Sequence, residues 1–109
     1  MTDVPEGFEL VSSRDASETT IRVRGEVDID TAGQIGGALR AAAGEPGGVV
    51  VLDLSEVSFM DSSGLGVLVE HARLSMQNGN RLRIRPSPVV ASLLDVSGLR
   101  ARFSDIETQ

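Results

Sequence analysis

The sequence VSFMDSSGLG, residues 57–66, lies between an apolar run at residues 49–54 and a segment whose apolar residues recur at helical spacing. This order predicts a strand, a loop and a helix, with Ser62 and Ser63 close to the start of the helix. Backbone N–H groups in a first helical turn have no intrahelical partners, and the positive end of the helix dipole lies there. A negative group is therefore stabilised next to the two serines.

The residues around the serines leave the hydroxyl groups accessible. Asp61 or Ser62 can serve as the N-cap of the helix, because both side chains accept hydrogen bonds from first-turn N–H groups. We place Ser62 at or just before the cap and Ser63 at the first helical position. Gly64 and Gly66 carry no side chain that would shield the hydroxyls. The stretch is thus predicted to be a loop that another molecule reaches.

Hydrophobic periodicity along the rest of the chain predicts alternating strands and helices. Residues 8–12 and 20–27 alternate as strands, and the turn-forming residues between them predict an antiparallel hairpin. One expected helix begins at Asp30 or Thr31 and runs to about Ala43, a second follows the serines and ends near residues 78–80, and a third runs from Pro88 to about Gly98. Two further strands are expected, at residues 49–54 and around Leu82 and Ile84. Phe103 and Ile106 are expected to form a short strand or lid. Helices that connect successive strands imply parallel pairing with right-handed crossovers. The predicted fold is one small α/β domain, with a mixed β-sheet of about four to five strands, an antiparallel N-terminal strand and three main helices layered on the sheet.

The first predicted helix contains three interior glycines, Gly33, Gly36 and Gly37. Each interior glycine costs about 0.5–1 kcal/mol relative to alanine, so we expect this helix to be the least stable of the three. Two interpretations stay open: the glycines are small residues where the helix packs on the sheet, or they keep the helix soft for docking. We favour the first, because tertiary packing commonly overrides helix propensity.

Composition limits the classes of function. The 109 residues fit a single domain, taken as residues 1–109 with a core at about 7–106, and the net charge is -6. An acidic chain with three Phe and neither Trp nor Tyr is poorly suited to nucleic acid, but it suits a protein partner with a basic face. The absence of cysteine excludes disulfides and thiolate metal sites. No apolar run reaches membrane-spanning length and no secretory signal is recognisable, so we expect a cytoplasmic protein without a membrane partner.

Enzymatic and metal-binding alternatives are less well supported. A serine hydrolase requires a base beside its nucleophile, but the single histidine, His71, is expected about two helical turns from the serines, roughly 12 Å along the axis. We interpret His71 as a partly exposed helix residue. Asp28, Asp30, Asp53 and Asp61 could suggest a metal site, although acids at strand ends and N-caps are common. We therefore predict a protein that is not an enzyme and has no cofactor or metal.

The motif DSSGLG at residues 61–66 resembles the signature of the STAS domain of bacterial anti-sigma factor antagonists. Two further segments are similar to that family at corresponding places in the chain, GEVD at residues 25–28 and the region of residues 87–99. The resemblance covers nearly the whole chain and implies the STAS fold. In that family the first serine after the aspartate is phosphorylated by the partner kinase, and this serine is Ser62 here.

The resemblance also implies a partner-switching mechanism. Unphosphorylated protein would bind an ATP-binding anti-sigma factor serine kinase and free the sigma factor, phosphorylation of Ser62 would abolish this binding, and a serine phosphatase would reset the protein. The expected partner-binding residues are Asp28, Asp61, Ser63, Gly64 and Leu65. An alternative stays open, namely a non-switching structural STAS subunit of a stress-signalling or lipid-transport assembly in which the serine is silent.

Overall fold

The computed structural model describes residues 7–42 and 47–103. Phe103 is not part of a strand: it follows a short 3₁₀ helix, Arg100–Arg102, and is buried, while Ile106 and the expected helix end at Ala43 lie outside the described residues. The main elements are β1 Glu9–Asp15, β2 Glu18–Val27, α1 Ile29–Ala42, β3 Val49–Met60, α2 Ser62–Asn78, β4 Arg81–Pro86 and α3 Pro88–Val96.

The strands form one four-stranded sheet in the order β1-β2-β3-β4. β1 and β2 form an antiparallel hairpin, whereas β2 pairs with β3, and β3 with β4, in parallel. Parallel neighbours require crossover connections, which α1 and α2 supply. The predicted mixed sheet with an antiparallel N-terminal strand and three main helices is confirmed.

A single hydrophobic cluster holds the helices to the sheet. It joins Ile35 of α1, Leu68 of α2 and Val90 of α3 to strand residues such as Leu52 and Ile84, all of them buried. Burial of aliphatic side chains of this size contributes about 1.5–3 kcal/mol each relative to exposure. Apolar residues from the strands and from all three helices therefore meet in one core.

β3 also contains a buried carboxylate, which neighbouring side chains satisfy. Asp53 is 5% exposed, and its Oδ2 lies 3.7 Å from Nε of Arg22 and 3.5 Å from Nη1 of Arg85. Oδ1 accepts hydrogen bonds from the N–H and the hydroxyl of Ser55. Burial raises the pKa of Asp53, but the hydrogen bonds from Ser55 and the two arginine charges outweigh burial, so the pKa is lowered overall. Asp53 is thus part of the scaffold.

β3 is longer than the apolar run that predicts it. The strand continues to Met60, so the expected loop after residue 54 is wrong. The register between β2 and β3 shifts twice, opposite residues 22–26 of β2. At each shift β3 contains one residue more than β2. Such bulges interrupt the alternation of inward and outward side chains without ending the strand. β3 therefore leads directly to Asp61 and the serines.

α1 begins at Ile29 because Asp28 caps it. Oδ1 of Asp28 accepts hydrogen bonds from the N–H groups of Asp30 at 2.9 Å and Thr31 at 3.3 Å. The hydroxyl of Thr31 in turn accepts a hydrogen bond from the N–H of Asp28 at 2.9 Å. This reciprocal arrangement has the geometry of a capping box. The prediction that Asp30 or Thr31 caps the helix is therefore wrong.

α1 packs against α2, and its glycines lie in different environments. Gly36 is buried, and a Cβ added there would lie 3.7 Å from Nε2 of His71 and 3.8 Å from Cγ1 of Val67. Gly33 is exposed, and no described atom beyond the chain neighbours and the backbone of α1 lies within 4 Å of an added Cβ. Gly36 thus fits the packing interpretation, although it faces a helix and not the sheet. His71 is only 4% exposed, so the prediction of a partly exposed histidine is wrong.

Candidate functional site

β2 and β3 end at the same edge of the sheet, which brings two predicted site segments together. Val27 pairs with Met60 at this edge, and the N–H of Asp61 donates a hydrogen bond to the carbonyl oxygen of Val27 at 3.1 Å. Asp28 directly follows Val27, and Ser62 directly follows Asp61. Asp28 and the serine segment therefore lie side by side, as the common carboxyl edge of parallel strands predicts.

Asp61 is the N-cap of α2. Its backbone is extended, with φ -104° and ψ -170°, and Oδ1 accepts hydrogen bonds from the N–H groups of Ser63 at 3.0 Å and Gly64 at 3.4 Å. The hydroxyl of Ser63 donates a further hydrogen bond to the same oxygen. These hydrogen bonds lower the pKa of Asp61, and the bond from the Ser63 hydroxyl contributes most. A charged carboxylate is thus fixed at the start of the helix.

The two serines differ in position and in bonding. Ser62 is the first residue of α2 and Ser63 the second, so Ser63 lies one position, and Ser62 at least one position, further into the helix than predicted. Ser62 is exposed, and its hydroxyl has no hydrogen-bond partner among residues 7–42 and 47–103. Ser63 is half-buried and bonded to Asp61. The accessible hydroxyl of the pair therefore belongs to Ser62.

The other predicted contact residues are partly engaged by the fold. Asp28 is half-buried and caps α1. Gly64 is buried, and a Cβ added there would lie 2.6 Å from Cγ of Met60 and 2.9 Å from Cγ1 of Val27. Leu65 is half-buried and packs against the hydrophobic core. Gly64 thus allows α2 to start in close contact with the strand ends, and Leu65 presents only part of its side chain to a partner.

Two exposed apolar residues at this edge are missed by the sequence analysis. Ile29, the first residue of α1, is 78% exposed, and Phe59, the second-last residue of β3, is 48% exposed. The signals that could have found them are local, since Ile29 stands between two aspartates and Phe59 is out of phase with the buried Met60. Apolar side chains are usually assigned to the core, and these two lie outside it.

The site edge is strongly acidic. The two site segments, residues 25–31 and 57–66, together include four acidic residues and neither Arg nor Lys. In the described part of the chain, no group of three or more His, Cys, Asp or Glu residues could hold a metal ion. No helix in the same part is long and apolar enough to cross a membrane. The dominant property of this surface is therefore negative charge.

His71 lies in the same helix as the serines but faces α1. Its Nε2 is buried and has no hydrogen-bond partner among the described residues, and Oε1 of Glu70 lies 3.8 Å away. Burial lowers the pKa of His71, the charge of Glu70 opposes this shift, and the charge of Arg40 adds to it. His71 is thus a residue of the contact between α1 and α2, nine residues beyond Ser62.

Comparison with known proteins agrees with this arrangement. The family profile described as "Mlab, STAS domain" matches residues 11–105. The chain belongs to the STAS domain family. An anti-sigma-B factor antagonist of Bacillus subtilis is 31% identical over 85 residues, which cover 77% of each chain. An anti-sigma-B factor antagonist of Listeria monocytogenes is 44% identical over 59 residues, 54% of this chain and 52% of the relative, so this match spans about half of the relative's length.

Solved structures of anti-sigma factor antagonists share this STAS fold. One from Mycobacterium paratuberculosis aligns with a TM-score of 0.77 at 25% identity, over 98% of this chain and 92% of that chain. SpoIIAA, an anti-sigma factor antagonist, aligns in its unphosphorylated form with a TM-score of 0.69 at 26% identity, over 93% and 90% of the two chains. The phosphorylated form of SpoIIAA from Bacillus aligns with a TM-score of 0.64 at 27% identity, over 94% and 92%.

Proposed function

We propose that this STAS protein is an anti-sigma factor antagonist whose binding is switched off by phosphorylation of Ser62. The observation that carries the proposal is the exposed Ser62 hydroxyl at the first position of α2, directly after the carboxylate of Asp61. The names of the relatives and the phosphorylated form of SpoIIAA support the same function. In the unphosphorylated state the protein binds an anti-sigma factor that is an ATP-dependent serine kinase, and the sigma factor is freed.

The proposed contact surface is the shared edge of β2 and β3. Its carboxylates suit a partner with a basic face, because the two site segments contain no Arg or Lys that would neutralise their negative charge. The hydroxyl of Ser63 holds the carboxylate of Asp61 in place. Gly64 keeps α2 close to the strand ends. The surface comprises the acceptor Ser62 and the contact residues Asp28, Asp61, Ser63, Gly64 and Leu65.

Phosphorylation is compatible with the fold but not with this contact. A phosphate adds about -1.5 to -2 charges, and the N-terminus of α2 stabilises anions, so the protein should stay folded. In the complex the same phosphate would lie next to the carboxylate of Asp61. It is also larger than a hydroxyl, so it would overlap the partner, and it would lose its hydration shell. We expect binding to weaken by about 3 kcal/mol, which is roughly 100-fold in affinity.

The test uses the purified protein and the ATP-binding anti-sigma kinase from the same organism. Mass spectrometry after incubation with ATP should locate one phosphate on Ser62, which Ser62→Ala should abolish and the matched variant Ser63→Ala should retain. Calorimetry should show that wild type and Ser62→Ala bind, and that phosphorylated wild type loses roughly 100-fold in affinity. Phosphate on Ser63 with Ser62 unmodified, or equal affinity before and after phosphorylation, would contradict the proposal.

A serine phosphatase completes the proposed cycle, because dissociation by phosphorylation is otherwise permanent. In the alternative role, that of a structural STAS subunit, Ser62 would stay unmodified and its charge would not affect assembly. Ser62→Glu and Ser62→Ala separate the two roles. Recovery of one multi-subunit complex with equal yield from both variants would favour the structural role, whereas loss of partner binding in Ser62→Glu alone would favour the switch.

A further inference from the structure

Large apolar side chains are exposed at the edge that carries the serines. Ile29 is 78% exposed and Phe59 is 48% exposed. Met76, near the end of α2, is 80% exposed, but it lies 14 residues beyond Ser62, about 21 Å along the helix axis. The chain thus offers exposed apolar residues both inside and far outside the proposed contact surface, and Ile29 and Met76 are closely matched in exposure.

Phe59 lies near the end of β3, and Ile29 lies at the start of α1, shortly after the end of β2. Phe59 precedes Met60, the buried last residue of β3, and it lies three residues before Ser62. Successive strand residues point to opposite faces, so Phe59 points away from the face that Met60 shares with α2. Ile29 directly follows Asp28 at the start of α1. The two apolar side chains therefore border the region that contains the candidate acceptor.

The charges around these side chains indicate which chemistry can cover them. Glu26 and Asp30 are exposed, Asp28 and Asp61 are half-buried, and none of the four forms an ion pair within the described residues. An apolar partner surface alone would leave these carboxylates desolvated without compensation. The complementary surface is therefore a protein face with an apolar pocket and a rim of Arg or Lys.

We propose that Phe59 and Ile29 are the apolar anchors by which the anti-sigma factor holds this protein, in an apolar pocket with a basic rim. The inference rests on the proposed function and adds the anchoring residues and the chemistry of the partner's face. Binding energy is usually concentrated in a few large side chains that polar neighbours shield from water. Because Phe59 lies three residues before Ser62, and Ile29 lies two residues after Val27, which pairs with Met60, both anchors belong to the edge of the sheet at which Ser62 lies.

Truncation of the anchors, compared with truncation of Met76, tests this inference. In calorimetric titrations with the cognate anti-sigma factor, Phe59→Ala and Ile29→Ala should each lose at least about tenfold in affinity. Met76→Ala should stay within about twofold of wild type. Ile29 is the decisive position, because a side chain that is 78% exposed contributes little to folding, and circular dichroism verifies that the variant is folded. Equal affinities of Ile29→Ala and Met76→Ala would overturn the inference.

The same titrations separate the anchors from the function on which they rest. If wild-type protein binds the anti-sigma factor and Phe59→Ala and Ile29→Ala bind it as tightly as wild type, the assignment of the anchors is wrong and the proposed function stands. If wild-type protein does not bind, the function and the anchors are both wrong. For the basic rim, the association rate should fall as ionic strength rises, and a rate that does not change with salt would overturn that part.

Discussion

Gly64 and Gly66 lie two residues apart in the first turn of α2, yet alanine should have opposite effects at the two positions. A Cβ at Gly64 would lie 2.6 Å from Cγ of Met60 and 2.9 Å from Cγ1 of Val27, and both of these residues are buried. At Gly66, no described atom beyond the chain neighbours and the backbone of α2 lies within 4 Å of an added Cβ. Neither glycine has a positive φ, so backbone strain makes no contribution.

The expected magnitudes follow from two opposing effects. Overpacking a dense core costs about 1–3 kcal/mol, and alanine recovers about 0.5–1 kcal/mol of helix propensity at either position. Gly64→Ala should therefore lower the free energy of unfolding by up to roughly 2.5 kcal/mol, while Gly66→Ala should raise it by about 0.5–1 kcal/mol. The propensity gain is common to both variants, so they differ by the overpacking cost of about 1–3 kcal/mol. At roughly 4 °C per kcal/mol, the two melting temperatures should differ by about 4–12 °C.

Urea denaturation followed by circular dichroism measures both free energies of unfolding under the same conditions, and differential scanning calorimetry measures the melting temperatures. Equal stability of Gly64→Ala and Gly66→Ala would refute the reasoning, because it would show that Met60 and Val27 move aside at no cost. Destabilisation by Gly66→Ala would refute the other half, because it would show that this side of the helix is not open.

Three further changes test the helix cap, a close backbone contact and the buried histidine. Asp61→Ala should lower the free energy of unfolding by about 1 kcal/mol, because it removes the acceptor of the first-turn N–H groups, and Asp61→Asn should recover most of this loss in the same urea assay. Gly25→Ala should destabilise by at least about 2 kcal/mol, since φ is +102° and the Cβ would lie 1.8 Å from the carbonyl oxygen of Gly7; a smaller loss on thermal unfolding would contradict that contact. Burial lowers the pKa of His71 from its ordinary 6.5, so the unfolded chain binds a proton more readily and stability should decrease as the pH falls below 6.5. Denaturation curves between about pH 5 and 7.5 should show this decrease in wild type but not in His71→Gln.

The order of the elements can be predicted from the sequence, because the hydrophobic period changes between two and about 3.6 along the chain. The end of β3 cannot, since the bulges leave the polar residues Ser55 and Glu56 inside a strand. The cap of α1 is ambiguous for another reason. Asp28, Asp30 and Thr31 are all capable N-caps, and only the position at which β2 leaves the sheet selects Asp28.

For the candidate site, the sequence predicts which segments are adjacent but not which of their side chains are exposed or buried. The adjacency of Asp28 and Ser62 follows from the common edge of parallel strands. The alternation of Phe59 and Met60 is a local signal, but which of the two side chains is exposed depends on where the neighbouring elements end. Burial of His71 depends on Gly36, a residue of another helix, so it also requires the tertiary arrangement.

β3 ends at Met60 and α2 begins at Ser62, which leaves Asp61 as the single connecting residue. Its N–H is bonded to Val27 and its carboxylate to the first turn of α2, so both ends of the connection are held. A one-residue linker with this bonding has no spare length that could let one element swing relative to the other. A covalent mark on Ser62 would therefore not propagate as a movement of the chain. It would be sensed only where it is attached, by whichever protein touches it.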